Sequence, residues 1–525
     1  MPSRAFSAIL IVASLPLGQR VAAQKRPITI EVATGGGRAR DNGGAPVWRP
    51  DGKAFAFERA DSIWLYDLPA KSEKELLPLG PLRNAATRET KSRAFDWQNR
   101  HVQEDTFQWT ANGAALLIVA RGDLFLWHAG SGKWDQLTAT PASESDPKLS
   151  PDGRSAAFLR DHDLYTLDLA TGHVTRLTSN GTPTLRNGEL DWVYPEELEL
   201  GTAFWWSPDS RSVAYLQFDT SREPLFPHAD LLGARAVYEP ERYPRAGDPN
   251  PDVRLGMVPA NGGPTLWFDT GETRETSLIA RVAWNPDSRR LLVERLNRVQ
   301  NRLDLLAVDT ANGAVTGILQ ETDSYWINVH DDPRFLKNGE QFLWSSERDG
   351  YRHLYLYSID GKELKRLTKG DWEVTEVAGV DETNGLVYYL SSETSPLERQ
   401  FYSVKLNGKN KKQLSNGAGT HEISMSPACD FYLDTFSSVT QPPSRVVYAS
   451  NGAERAVFRE ADRRLVENYD LPAAQFVTVK ASDGTQLDGR LMKPADFQAG
   501  KKYPAIVVVY GGPQAQAVRN EWAPI

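Results

Sequence analysis

The sequence predicts an all-β repeat array, an eight-bladed β-propeller, followed by the beginning of a second domain of α/β type. Three observations predict it. A turn of the type Trp-Ser-Pro-Asp-Gly recurs every 40–60 residues or so. An alternating apolar strand follows each turn, and a second strand of the type Asp-Leu-Tyr-Leu-Tyr-Asp comes a few residues later. The helical periodicity that an α-solenoid would need is absent between the turns.

The 525 residues are too many for one ordinary core. With 15 Trp, 18 Tyr and 19 Phe the chain can bury a large interior. The formal charge of −8 is spread along the chain with no basic block, which argues against a nucleic-acid partner. Cys429 is the single cysteine, so neither an intrachain disulfide nor a thiolate metal cluster can form. No cofactor or metal is expected.

Residues 1–23 read as a secretory signal: Arg4 gives the positive start, Ala5 to Leu17 the apolar stretch, and Val21-Ala22-Ala23 a small-residue cleavage site before Gln24. The apolar stretch is too short to span a bilayer, and Pro16 and Gly18 interrupt it, although a retained N-terminal anchor is the other reading. Export without disulfides suits a secreted or periplasmic protein. A short N-terminal segment, 24–44, precedes the array.

The array is expected over residues 45–465. Its turns are Trp48-Arg49-Pro50-Asp51-Gly52, Trp109-Thr110-Ala111-Asn112-Gly113, Leu149-Ser150-Pro151-Asp152-Gly153, Trp206-Ser207-Pro208-Asp209-Ser210 and Trp284-Asn285-Pro286-Asp287-Ser288. Weaker copies start at Phe335, Glu382 and Met425, which gives eight blades. Pro-Asp-Gly is a tight-turn signal, and alternation after it gives strands with one buried face. Two intervals are stretched, one between Trp48 and Trp109, the other between Trp206 and Trp284. Long insertions in a repeat array mark a working face or an oligomer contact.

One stretch does not share the repeat pattern: Asp191-Trp192-Val193-Tyr194-Pro195-Glu196-Glu197-Leu198-Glu199. Pro195 suits the first position of a helix, Glu196 and Glu197 then fall in the first turn, and Gly201 offers a stop. An ordinary capped surface helix is one reading. The other is a pair of carboxylates held at the mouth of a cavity to bind a cation such as a peptide's α-ammonium.

Residues 466–525 change character. Phe476 to Lys480 and Leu487 to Met492 read as a hairpin around Asp483-Gly484. Ala505-Ile506-Val507-Val508-Val509-Tyr510 is a continuous apolar run that suits a strand buried on both faces, and it ends in Gly511-Gly512-Pro513. So few residues cannot complete an α/β domain, so the chain is expected to be cut inside its second domain.

The eight-bladed pattern, the Asp-Trp-Val-Tyr-x-Glu-Glu segment and the strand ending Val-Tyr-Gly-Gly-Pro together resemble the dipeptidyl peptidase IV family, serine exopeptidases of the prolyl oligopeptidase group. The similarity extends over nearly all of 45–525 and includes Tyr243-Pro244-Arg245-Ala246-Gly247. It implies a propeller capping an α/β-hydrolase domain, peptide substrates with a free N-terminus held by Glu196 and Glu197, and release of dipeptides, Xaa-Pro or Xaa-Ala. By the same resemblance Tyr510 contributes to the oxyanion hole, against the plainer reading of a packing aromatic. The family's propeller arginine falls to Arg100 as candidate, against a solvated surface arginine. Family members often form homodimers.

The Gly-x-Ser-x-Gly elbow occurs nowhere in the sequence. The family's serine, aspartate and histidine would lie beyond Ile525, so this chain by itself is expected to be inactive. Two other functions compete: a related acyl-peptide hydrolase or oligopeptidase, and a non-catalytic propeller that binds peptides or proteins.

Overall fold

The computed structural model describes residues 25–32, 44–87, 106–231, 233–331, 333–494, 496–512 and 515–523. The expected signal segment and Arg100 lie outside these residues. Among the described residues, seven antiparallel sheets of four strands and one of five follow one another along the chain. They occupy 47–78, 107–136, 145–176, 185–268, 277–322, 334–366, 374–413 and 420–459. Helices are short: α1 is Gly80–Ala85, α2 is Val193–Leu198 and α3 is Arg464–Asn468.

Each recurring turn joins two adjacent strands of a sheet, as between Val47–Trp48 and Ala54–Arg59. The residue after Pro-Asp adopts a left-handed backbone, with φ 67° at Gly52 and 69° at Gly153. Only glycine does so without strain. Ser210 and Ser288 hold the same conformation, at φ 61° and 60°. Each of these serines has a use for its side chain: Ser210 Oγ accepts the Asp152 amide and Ser288 Oγ the Asp209 amide, both at 3.0 Å. A strained turn in one sheet thereby bonds to the turn of the sheet before it.

The tryptophan of the turn has the same logic. Its ring buries apolar area while its N–H needs a partner. Trp109 donates to the Val47 carbonyl, Trp206 to that of Lys148 and Trp284 to that of Trp205, at 3.2, 3.0 and 3.1 Å. In every case the acceptor is in the preceding sheet, on the strand that leads into that sheet's own turn.

The core lies between sheets. Leu117 and Leu124 of the second sheet pack with Ala156 and Phe158 of the third. Leu390 and Phe401 of the seventh pack with Tyr432 of the eighth. The eighth meets the first through Phe55, Phe57 and Tyr66 against Leu433, Val447 and Phe458. Glu73 of the first sheet pairs with Arg459 of the eighth. The succession of interfaces therefore returns to its start.

The fourth sheet is the irregular one. Leu185–Asn187 pairs with one end of the strand Ser212–Asp219, and Phe204–Trp206 with the other. The chain between them, 188–203, leaves the sheet line and carries α2. The long interval that follows folds partly as a separate hairpin, Leu225–Asp230 with Val237–Arg242.

Beyond the eighth sheet, Ala474–Lys480 pairs with Gln486–Met492 as the Asp-Gly signal indicates. The apolar run that follows differs from expectation. Residues 505–510 form no strand, and Ile506, Val507, Val508 and Val509 are 77–92% exposed. A strand buried on both faces needs neighbours on both edges, and no strand pairs with this run among the described residues. Further on the chain returns to the sheets. Asn520 is buried; its N–H donates to the Leu397 carbonyl at 2.7 Å, and its side-chain oxygen accepts the Val439 amide at 3.1 Å.

Candidate functional site

The helix α2 starts two residues earlier than Pro195 suggests. The buried Asp191 carboxylate accepts the amides of Val193 and Tyr194 at 2.9 and 3.1 Å, so two first-turn donors are satisfied before the proline is reached. Pro195 then occupies the third helical position, where its missing N–H still costs no hydrogen bond. The end also differs. Glu199, at φ 52°, terminates the helix in left-handed conformation, and its N–H returns to the Tyr194 carbonyl. Gly201 is not needed as the stop.

Val193, Tyr194, Pro195 and Leu198 are buried, whereas Glu196 and Glu197 are exposed. Six residues are too few for a helix to hold its own geometry, so packing fixes α2. Tyr194 is fully buried, edge-on to Phe218 at 4.9 Å, and its hydroxyl oxygen accepts the Ile279 amide at 3.3 Å. Burial pushes its phenol well above the ordinary value of 10.0. Trp192 lies 4.1 Å from the ring of Tyr243, which ties the helix to the insertion in the fourth sheet. Arg281 donates to the Leu198 carbonyl at 2.7 Å.

Arg281 also faces Asp331 at 3.3 Å, and Asp331 ends a loop that lines a cavity of about 190 Å³ between the fifth and sixth sheets. Glu294, Glu321, Trp326, His330, Glu347 and Arg348 are among the residues around it. Burial raises the Glu347 carboxyl, but His330 and two hydrogen bonds from Asn328, at 2.9 and 2.8 Å, outweigh it and hold the group below the ordinary carboxylate value. Glu321 accepts from Trp344, Ser346 and Arg348 at 2.7–2.9 Å. Sequence reasoning assigned no part to this cavity or to Arg281. The signal for Arg281 was a lone guanidinium inside the apolar strand Ser277–Trp284.

Of the residues singled out from sequence, Glu196 and Glu197 stand side by side on α2. Tyr510 belongs to the exposed 505–510 stretch, its own side chain 66% exposed. Arg100 is outside the described residues. Among the described residues, no group of three or more His, Cys, Asp or Glu is placed to hold a metal ion, and no helix is long and apolar enough to cross a membrane.

Similar proteins agree with this architecture. A sequence model of the family described as the dipeptidyl peptidase IV N-terminal region matches residues 120–443. A probable dipeptidyl peptidase 4 of Emericella nidulans is 31% identical over 400 residues, covering 71% of this chain and 51% of the relative. A probable dipeptidyl-aminopeptidase B of Tuber melanosporum is 28% identical over 469 residues, covering 79% and 51%. The chain thus spans about half the length of these relatives. The crystal structure of Porphyromonas gingivalis dipeptidyl peptidase 4 superposes with a TM-score of 0.82 at 25% identity, over 95% of this chain and 71% of that one. With well over half of its length matched to one family, the chain belongs to the dipeptidyl peptidase IV family.

Proposed function

We propose that this chain is the substrate-recognising part of a secreted or periplasmic serine exopeptidase that releases N-terminal dipeptides, with proline or alanine as the second residue. Its eight sheets act as the blades of an eight-bladed propeller, a reading supported by the return of the eighth sheet onto the first. The residues from about 466 onward begin the α/β-hydrolase domain, and Tyr510 serves the oxyanion hole once that domain is complete.

The observation that carries the proposal is the exposure of two consecutive carboxylates on a helix whose other face is fixed in the core. Such a pair can accept several charge-assisted hydrogen bonds from an ammonium group. It also acts as a ruler: an extended residue spans about 3.3–3.6 Å, so a fixed terminus brings the second peptide bond to the nucleophile. No Gly-x-Ser-x-Gly elbow occurs in these 525 residues, so catalysis requires further chain and this one alone turns nothing over. The full-length protein is a homodimer in this reading. The hairpin Leu225–Asp230 with Val237–Arg242 supports it, with Leu225, Phe226 and Tyr238 exposed on an arm outside the sheets.

The test uses the full-length protein. Glu196→Gln and Glu197→Gln are each expected to cut turnover of dipeptide amides by the equivalent of about 2–5 kcal/mol, because one side of a desolvated charge pair is lost. N-acetylation of the substrate removes the other side and should cost a similar amount. The two losses should be strongly non-additive. If both variants keep near-parental activity and still reject acetylated substrate, the ammonium is bound elsewhere.

A further inference from the structure

We infer, on the reading that Glu196 and Glu197 hold the substrate's α-ammonium, that Arg281 is a positioning residue for α2 and sets where those two carboxylates stand.

The strand Ser277–Trp284 opens the fifth sheet and is not evenly paired. Its register against Arg290–Asn297 runs Ile279 to Arg295 and then Arg281 to Glu294, which leaves Ala280 as a bulge. A bulge bends the strand and re-aims the side chains beside it. Here the residues on either side of Ala280 both turn to α2. The Ile279 amide donates to the Tyr194 hydroxyl near the start of the helix. Arg281 Nη1 donates to the Leu198 carbonyl at 2.7 Å and to the Ala280 carbonyl at 2.8 Å. One nitrogen therefore joins the bulge to the end of the helix.

Leu198 is the last helical residue, and its carbonyl is one of the groups a helix end leaves without an intrahelical partner. The left-handed turn at Glu199 leads the chain away and leaves that carbonyl to the guanidinium. The Arg281 side chain is only 12% exposed, so the bond is sheltered from competing water. Arg281 Nη2 meets Asp331 at 3.3 Å, so the cavity loop and α2 share this one side chain.

The two anchors divide the work. Tyr194 is part of the core, and its loss would unpack the helix. Arg281 hydrogen-bonds the helix at a carbonyl one residue beyond Glu197, so its loss should leave the core in place and free the carboxylate-bearing turn. A small misplacement of the carboxylates weakens their contact with the ammonium in the bound substrate and in the transition state alike.

The experiment compares Arg281→Met, Arg281→Lys and Glu196→Gln in the full-length protein. Arg281→Met keeps the stem and removes the donors. It is expected to raise KM for a Gly-Pro amide about ten-fold while kcat changes less than about two-fold, the pattern of lost uniform binding. The rate at which a small sulfonyl fluoride inactivates the enzyme should be unchanged, since that reagent carries no ammonium. Arg281→Lys, which keeps one charged donor, should recover part of the KM and stands in if the methionine variant does not fold. KM and kcat equal to the parent in either folded variant would overturn the assignment, as would parallel loss of kcat and of inactivation rate. If Glu196→Gln raises KM and Arg281→Met does not, the role of Arg281 alone falls. If Glu196→Gln leaves both KM and kcat unchanged, the ammonium-binding reading of α2 falls with it.

Discussion

The indole N–H of Trp48 donates to the hydroxyl of Ser424 at 3.0 Å, joining the first sheet to the last. Trp109, Trp206 and Trp284 bond to their preceding sheets in a similar way but through backbone carbonyls; across the seam a side-chain hydroxyl takes that place. Around it Phe458 stands edge-on to Phe55, Phe57 and Tyr66, at centroid distances of 4.9, 5.1 and 5.1 Å.

Phe458→Ala should therefore destabilise the protein by about 3–5 kcal/mol, the usual cost of emptying a buried aromatic site. Denaturant unfolding measures the loss. Amide exchange should rise first in 47–78 and 420–459, the two sheets that share the seam. Uniform loosening of all eight sheets would mean that the seam is no weaker than any other interface.

Tyr194→Phe should keep the packing against Phe218 and strand the Ile279 amide, which now donates to the phenol oxygen. A buried donor without a partner costs about 1–3 kcal/mol. Faster exchange of the Ile279 amide, with the rest of its strand unaffected, is the expected signature.

His353 gives a pH dependence. Its ring is buried, its Nε2–H donates to the Gly370 carbonyl at 2.9 Å and its Nδ1 lies 3.1 Å from the Thr368 hydroxyl. Burial holds the imidazole below the ordinary value of 6.5; the Gly370 carbonyl opposes this and the Arg366 charge adds to it. The unfolded chain takes up a proton near 6.5 that the folded chain refuses until lower pH. Below that value the unfolded state binds more protons, so stability rises with pH across the window. The contribution of neutral His353 is complete above 6.5 and is lost as pH falls below it. His353→Gln should flatten unfolding free energy against pH on the acid side of 6.5.

The exposed run Ile506–Val509 should make the 525-residue chain prone to association. Replacing Ile506 and Val508 by threonine should raise the soluble fraction in a concentration series without altering the unfolding midpoint. Ending the chain at about residue 470 should give a similar gain. An unchanged soluble fraction in both would show that this run does not drive association.

Much of the array was legible because it is local. Each Trp-x-Pro-Asp-Gly phrase specifies its own turn, and every phrase does join two strands of one sheet. What was not legible depends on partners remote in sequence. Pro195 has a local preference for the first helical position, yet the buried ring of Tyr194 and the Asp191 carboxylate draw the helix start back to Val193. Residues 505–510 have the composition of a strand, but composition supplies no neighbour to pair with. Arg281 reads as an interruption in an apolar strand, because the bulge at Ala280 that gives it a target leaves no mark in the alternation.

Among the described residues, each sheet of four or more strands comes from one stretch of chain, interrupted only in the fourth by the separate hairpin Leu225–Asp230 with Val237–Arg242. During synthesis each sheet is thus complete soon after its own residues emerge. The first cannot cover Phe55 and Phe57 until Phe458 is made. At about 5–20 residues per second that wait lasts tens of seconds. Through it the nascent protein presents an aromatic face to every other chain nearby, until the eighth sheet is made and shields the first.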